Sequence, residues 1–103
     1  MSQDEGLKQE IVRMTSLLYD RGLITAVGGN VSARNAGAKE FWITPSNLFK
    51  KDVTPGDLVK CDLQAKVVKG LMKPSIETPF HAAIFRRRED TQPSSGAGKT
   101  LTR

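Results

Sequence analysis

The sequence predicts an α/β protein in which one helix, a run of short antiparallel-looking strands and a second helix pack in an α+β or layered α/β arrangement. Three observations carry this. Apolar residues recur at helical spacing over residues 3–21, short alternating segments separated by turn residues fill 23–68, and a second helical segment follows a Pro-Ser pair over 76–88.

Ser2 and Glu5 have capping-box spacing just ahead of the first helix. Leu7, Ile11, Met14 and Leu18, with Leu17 beside them, form its apolar stripe. Gly22 follows Arg21 as a C-terminal stop. Paired glycines break the run LITAVGGNVSAR, and Val31 and Ala33 then alternate with Ser32 and Arg34, so a turn opens a strand. EFWIT over 40–44 is a second strand with Phe41 and Ile43 on one face, joined to the first through NAGA. Residues 48–57 are irregular, with a turn at Thr54-Pro55-Gly56-Asp57. LVKCDL over 58–63 alternates as a third strand, and 66–68 is a short fourth. The second helix tolerates Pro79 in its first turn.

The 103 residues suffice for one small domain. The hydrophobic fraction of 38% implies a modest core. The net charge of +5 is concentrated at the C-terminal end, where Arg86, Arg87, Arg88, Lys99 and Arg103 face only Glu89 and Asp90. Nucleic-acid binders spread basic residues over a face or interleave them with aromatics, so nucleic acid is not the expected partner. A single cysteine, Cys61, excludes an internal disulfide. No apolar run reaches bilayer-spanning length, and the polar start MSQDEGLKQE lacks a signal-type apolar region, so the expectation is a cytoplasmic protein without membrane association. The segment 91–103 holds few apolar side chains and is expected to be a disordered polar tail behind a domain over 1–90.

Several short motifs carry possible chemistry, each with a plainer reading. Gly28-Gly29-Asn30 offers backbone amides and a side-chain donor to an anion, or is a tight turn. Thr44-Pro45-Ser46 places hydroxyls at a strand end, or merely ends the strand. Ser75 caps a helix or donates to an anion there. Glu77 at a helix start is favoured by the macrodipole with or without acid/base work. His81 shares a helical face with Glu77, but one His and one distant Cys do not make the three-ligand set of a catalytic zinc, and a surface or satisfied histidine is the preferred reading. Gly98-Lys99-Thr100 fails as a phosphate loop because Pro93 stands where the first glycine belongs. The Arg86–Arg88 run suits a solvated helix end.

Taken in order, GGNVSAR (28–34), ITPS (43–46), DLV (57–59) and KPSIETPFHAAIFRRR (73–88) resemble the N-terminal half of the class II aldolase/adducin family, which includes fuculose-phosphate aldolase and ribulose-phosphate 4-epimerase. The resemblance covers roughly residues 5–90. It implies an α/β/α layered fold around a largely antiparallel sheet, incomplete here because the C-terminal half is absent. It also implies tetramers and a zinc or other divalent metal held by three histidines, acting in cleavage, epimerisation or dehydration of a small sugar phosphate. By motif position, Gly29, Asn30, Ser46 and Ser75 match phosphate-binding positions and Glu77 matches the proton-transfer residue.

Departures accompany the match. Asn47 stands where glycine is common, and Ile76 where a second serine is. The family's His-x-His pair would fall near residues 96 and 98, which are Gly96 and Gly98. The resemblance therefore implies a truncated or frame-shifted chain that binds no metal stably, lacks the parent activity, and is weakly stable with exposed edge strands. A non-catalytic, adducin-like protein-interaction module is the alternative, and a small basic nucleic-acid binder a weaker one.

Overall fold

The computed structural model describes residues 3–25, 29–35, 38–46, 48–91 and 99–102. Ser2, Gly28 and Asn47, each singled out in the sequence, lie outside the described residues. Helix α1 (Gln3–Asp20) is followed by strands β1 (Ser32–Asn35) and β2 (Glu40–Ile43). Two 3-10 turns (Lys50–Asp52 and Pro55–Asp57) lead to β3 (Val59–Asp62), β4 (Val67–Lys69), helix α2 (Thr78–Thr91) and β5 (Lys99–Thr102). The strands form one sheet in the order β4-β3-β2-β1-β5, with every neighbouring pair antiparallel.

Strand alternation decides which residues meet which helix. Ala33 and Lys60 lie opposite Trp42 on one face, and Ser32 and Val59 lie opposite Ile43 on the other. On the first face Val31, Ala33, Trp42 and Leu58 pack against Leu7, Ile11 and Leu18 of α1. On the second, Phe41, Ile43, Val59 and Cys61 pack against Ala82 and Phe85 of α2. The result is a helix–sheet–helix sandwich with two separate apolar clusters, as the layered reading anticipates.

Helix α1 ends where Gly22 allows. At φ +76° Gly22 sends its N–H to Tyr19 O at 3.0 Å, and Leu23 N–H reaches Leu18 O at 2.9 Å, a Schellman closure. The expected stripe is buried at Leu7, Ile11 and Leu18, while Met14 is only partly covered and Thr15 is buried in its turn. Thr15 tolerates this because its hydroxyl donates to Ile11 O at 2.7 Å. Lys8 and Lys60 bracket Trp42, 4.5 and 5.6 Å from the ring centroid, and Lys60 pairs with Asp4 and Glu40.

Two expectations shift. The second helix starts at Thr78 rather than at 76. Pro79 has no N–H, so the helical ladder begins with Phe80 and His81, whose N–H groups both reach Glu77 O, at 3.0 and 3.1 Å. Glu77 is thereby the cap residue of α2. The second shift concerns the polar tail. Residues 92–98 lie outside the described residues, with the expectations for Gly96 and Gly98, but Lys99–Thr102 form β5 against the edge of β1, Ser32 opposite Thr102 and Asn35 opposite Lys99. An edge strand satisfies its backbone by ladder bonds whatever its side chains, so a polar segment can take that place.

Two substitutions test this packing. Ala65 holds φ +68° in the β3–β4 turn, between Asp62 and Lys66. Ala65→Gly relieves a left-handed cost of roughly 1–2 kcal/mol, partly offset by unfolded-chain entropy. The expected result is a higher denaturation midpoint at unchanged m-value. Phe85 is fully buried, with its ring centroid 4.9 Å from that of Phe41. Phe85→Ala is expected to cost about 3–5 kcal/mol, enough to abolish cooperative thermal unfolding in so small a core.

Candidate functional site

Three segments distant in sequence meet at one end of the sheet: the entry to β1, the exit of β2, and the start of α2. Thr44 joins the first two. Its N–H donates to Val31 O at 3.1 Å, its hydroxyl accepts from Val31 N–H at 3.2 Å, and the same hydroxyl donates to Asn30 Oδ1 at 3.0 Å. Asn30 then donates from Nδ2 to Glu77 Oε1 at 3.0 Å, which ties the β1 entry to α2. Below them Pro45 bridges Pro74, and Ser46 N–H donates to Lys73 O at 3.0 Å. These contacts bring Gly29, Asn30, Ser46, Ser75 and Glu77 to the same end of the molecule.

Gly29 has two reasons to be glycine. Its φ is +83°, and a Cβ there would lie 2.7 Å from Ile24 Cγ2. The turn therefore brings its backbone against the Ile24 side chain and turns Asn30 inward. Asn30 is buried, its amide shared between Thr44 and Glu77. Its side chain thus holds the site together, a role additional to the anion donor expected from sequence.

Ser75 closes the turn that leads into the Glu77 cap of α2. Its hydroxyl accepts from Glu77 N–H at 3.0 Å, and its carbonyl accepts from Thr78 N–H and from the Thr78 hydroxyl. Ser75 is buried, whereas Ser46 is half-buried with its hydroxyl 3.4 Å from Lys73 O. The Glu77 carboxylate is 47% exposed, so a supported acid/base group faces solvent at the positive end of a helix.

Beneath Glu77 lies a pair of which the sequence signals only one member. His81 is 1% exposed, with Nδ1 2.6 Å from Ser32 Oγ and Nε2 3.8 Å from Glu77 Oε1. Of the two alternatives preferred from sequence, a surface or a satisfied histidine, the placement excludes the first and fits the second. Ser32, on the α2 face of β1, carries no local signal beyond alternation. Burial lowers the His81 pKa, against the opposing pull of Glu77.

The donor set does not fit a divalent metal. The chain holds one histidine and one cysteine. His81 Nδ1 is engaged by Ser32, and Cys61 lies in the core under α2 with its thiol pushed up to about 11 by burial and by Asp62. Among the described residues no three His, Cys, Asp or Glu side chains gather as a metal-binding group.

The lowered His81 pKa sets a pH dependence. Above the unfolded value near 6.5 the imidazole is neutral in both states, and below it only the unfolded chain takes up the proton. Stability contributed by neutral His81 is therefore expected to fall as pH drops from that value toward the lower folded pKa. Denaturant melts at pH 7 and pH 5 check this, with His81→Gln losing less than the parent chain.

Comparison with known proteins gives this geometry its context. The family model described as class II aldolase and adducin N-terminal domain matches residues 9–93. A 5-deoxy-D-ribulose 1-phosphate aldolase of Bacillus thuringiensis serovar kurstaki is 35% identical over 83 residues, covering 81% of this chain and 39% of that protein. An L-fuculose phosphate aldolase of Methanocaldococcus jannaschii is 31% identical over 83 residues, covering 81% of this chain and 44% of that protein. Among solved structures, an L-fuculose 1-phosphate aldolase superposes with a TM-score of 0.75 at 30% identity, covering 85% of this chain and 41% of its own. The L-fuculose-1-phosphate aldolase of Thermus thermophilus gives 0.62 at 33% identity, covering 79% and 40%. The chain thus spans about two fifths of the length of the relatives it matches. The match over most of its length, together with the shared layered fold, places the chain in the class II aldolase and adducin N-terminal domain family.

Proposed function

We propose that this chain supplies the phosphate-binding and proton-transfer part of an aldolase-type site for a small sugar phosphate. The observation that carries the reading is the Asn30–Glu77 hydrogen bond. It sets a half-exposed carboxylate beside the glycine turn at Gly29. In this reading the Gly29 and Asn30 backbone and the Ser46 and Ser75 hydroxyls bind the phosphate near the start of α2, where the helix dipole favours an anion although the first N–H groups of the helix are engaged by Ser75 and Glu77. Glu77 moves the proton of the bond-breaking step. The aldolase relatives, acting on deoxyribulose and fuculose phosphates, support the substrate class.

A divalent metal would supply Lewis-acid stabilisation in such chemistry, but the side chains present do not form its ligand set, so the 103 residues by themselves are expected not to turn over substrate. Ile76 and Phe80, at 92% and 67% exposure, stand at the start of α2 and support an assembled state in which they are covered. Among the described residues no helix is long and apolar enough to cross a membrane, and a cytoplasmic location belongs to the same proposal.

The test pairs binding with turnover. Titrating the ¹⁵N-labelled chain with L-fuculose 1-phosphate is expected to shift the amides of Gly29, Asn30, Ser46 and Ser75, with no cleavage in the presence of zinc. No shift at these four positions would overturn the phosphate site, and efficient zinc-dependent cleavage would overturn the claim of inactivity.

A further inference from the structure

The two contacts on Glu77 fall on the same oxygen. Asn30 Nδ2 lies 3.0 Å from Oε1, and His81 Nε2 lies 3.8 Å from that atom. A carboxylate accepts only, so the arrangement is favourable when Nε2 carries the imidazole proton. Nδ1 is then an acceptor, and it lies 2.6 Å from a serine hydroxyl able to donate. Ser32 and His81 are both buried, and Ser32 sits on β1, which the Thr44 contacts tie to the Asn30 turn. The order Ser32, His81, Glu77 is therefore a relay of orientation from the sheet to the carboxylate.

We propose that His81 is a positioning residue: Ser32 donates to Nδ1 and fixes the Nε2–H tautomer, and that N–H, with Asn30, holds Oε1 so that Oε2 alone faces the reactant. This rests on the proton-transfer reading of Glu77 and adds to it a division of work between the two oxygens. Ser32 and His81 do not touch the reactant, being buried beneath the carboxylate. The 3.8 Å separation is longer than a hydrogen bond and acts as a charge–dipole contact, which shortens if the carboxylate settles toward the protein when substrate binds. His81 burial, which opposes a charged imidazole, keeps the ring neutral and the tautomer meaningful.

The chain contains a single histidine, so its imidazole can be read without assignment. Long-range ¹H–¹⁵N spectra of the full chain at neutral pH, without metal or substrate, are expected to show Nε2 protonated and Nδ1 bare. Ser32→Ala is expected to convert this into a mixture of tautomers, with at least a tenfold fall in the tautomer ratio. His81→Leu is expected to speed exchange of the Asn30 side-chain amide about tenfold, and His81→Gln, which keeps an N–H donor near Oε1, to restore it to within about threefold. Amide protection in α1 and β3 reports whether each variant is folded; if His81→Leu fails to fold, the Ser32→Ala spectrum decides. An Nδ1–H tautomer in the parent chain overturns the proposal. An unchanged tautomer ratio in Ser32→Ala, or equal Asn30 exchange in the Leu and Gln variants, overturns it as well. None of these readouts uses turnover, so failure of the sugar-phosphate reading leaves them intact, and their failure leaves that reading to its own test.

Discussion

The end of the molecule where the candidate site lies is organised by Thr44. One buried residue donates and accepts at three points, closing the β1–β2 ladder beyond its last strand pair and fixing the Asn30 amide. A buried Asn with a free amide would be costly to desolvate, and so would a buried Thr hydroxyl. Here each satisfies the other, and the Asn30 amide donor turns to Glu77. The position of the carboxylate thus follows from hydrogen-bond satisfaction in the sheet. Removing the Thr44 hydroxyl would leave Asn30 Oδ1 and Val31 N–H to find other partners, and Glu77 would lose its register with the strands.

Much of the fold is legible in the sequence because periodicity reports burial. The stripe on α1, the alternation of Phe41 and Ile43 and the stop at Gly22 are local patterns, and all three match the packing. The start of α2 falls two residues later than its pattern suggests, because Pro79 delays the ladder without interrupting the apolar spacing. The strand at Lys99–Thr102 has no side-chain pattern to announce it, since its partner is a bare backbone edge.

The site is legible in a different way. Glu77, Asn30, Ser46 and Ser75 stand out by residue type and motif order, and the structure brings them to one end of the sheet. What the sequence does not show is who holds whom. Asn30 meets Glu77 across 47 positions and Ser32 meets His81 across 49. No spacing rule links such pairs; they meet only because β1 and α2 face each other across one layer of the sheet. Ser32 in particular looks like an ordinary polar strand residue until α2 is laid over it.

The placement of β5 has a consequence for how the chain acquires this structure. Strands β1 to β4 pair with sequence neighbours, so their contacts close short loops. β5 lies at the opposite edge from β4, and the chain must carry α2 across the sheet before Lys99 can meet Asn35. That contact has by far the longest sequence separation in the sheet, and long-range strand pairing is slow. The β1 edge therefore stays open longest, beside the turn that bears Asn30. During folding the end of the molecule that holds the candidate site would be the last to lose its exposed backbone, and the most open in that interval to pairing with another chain.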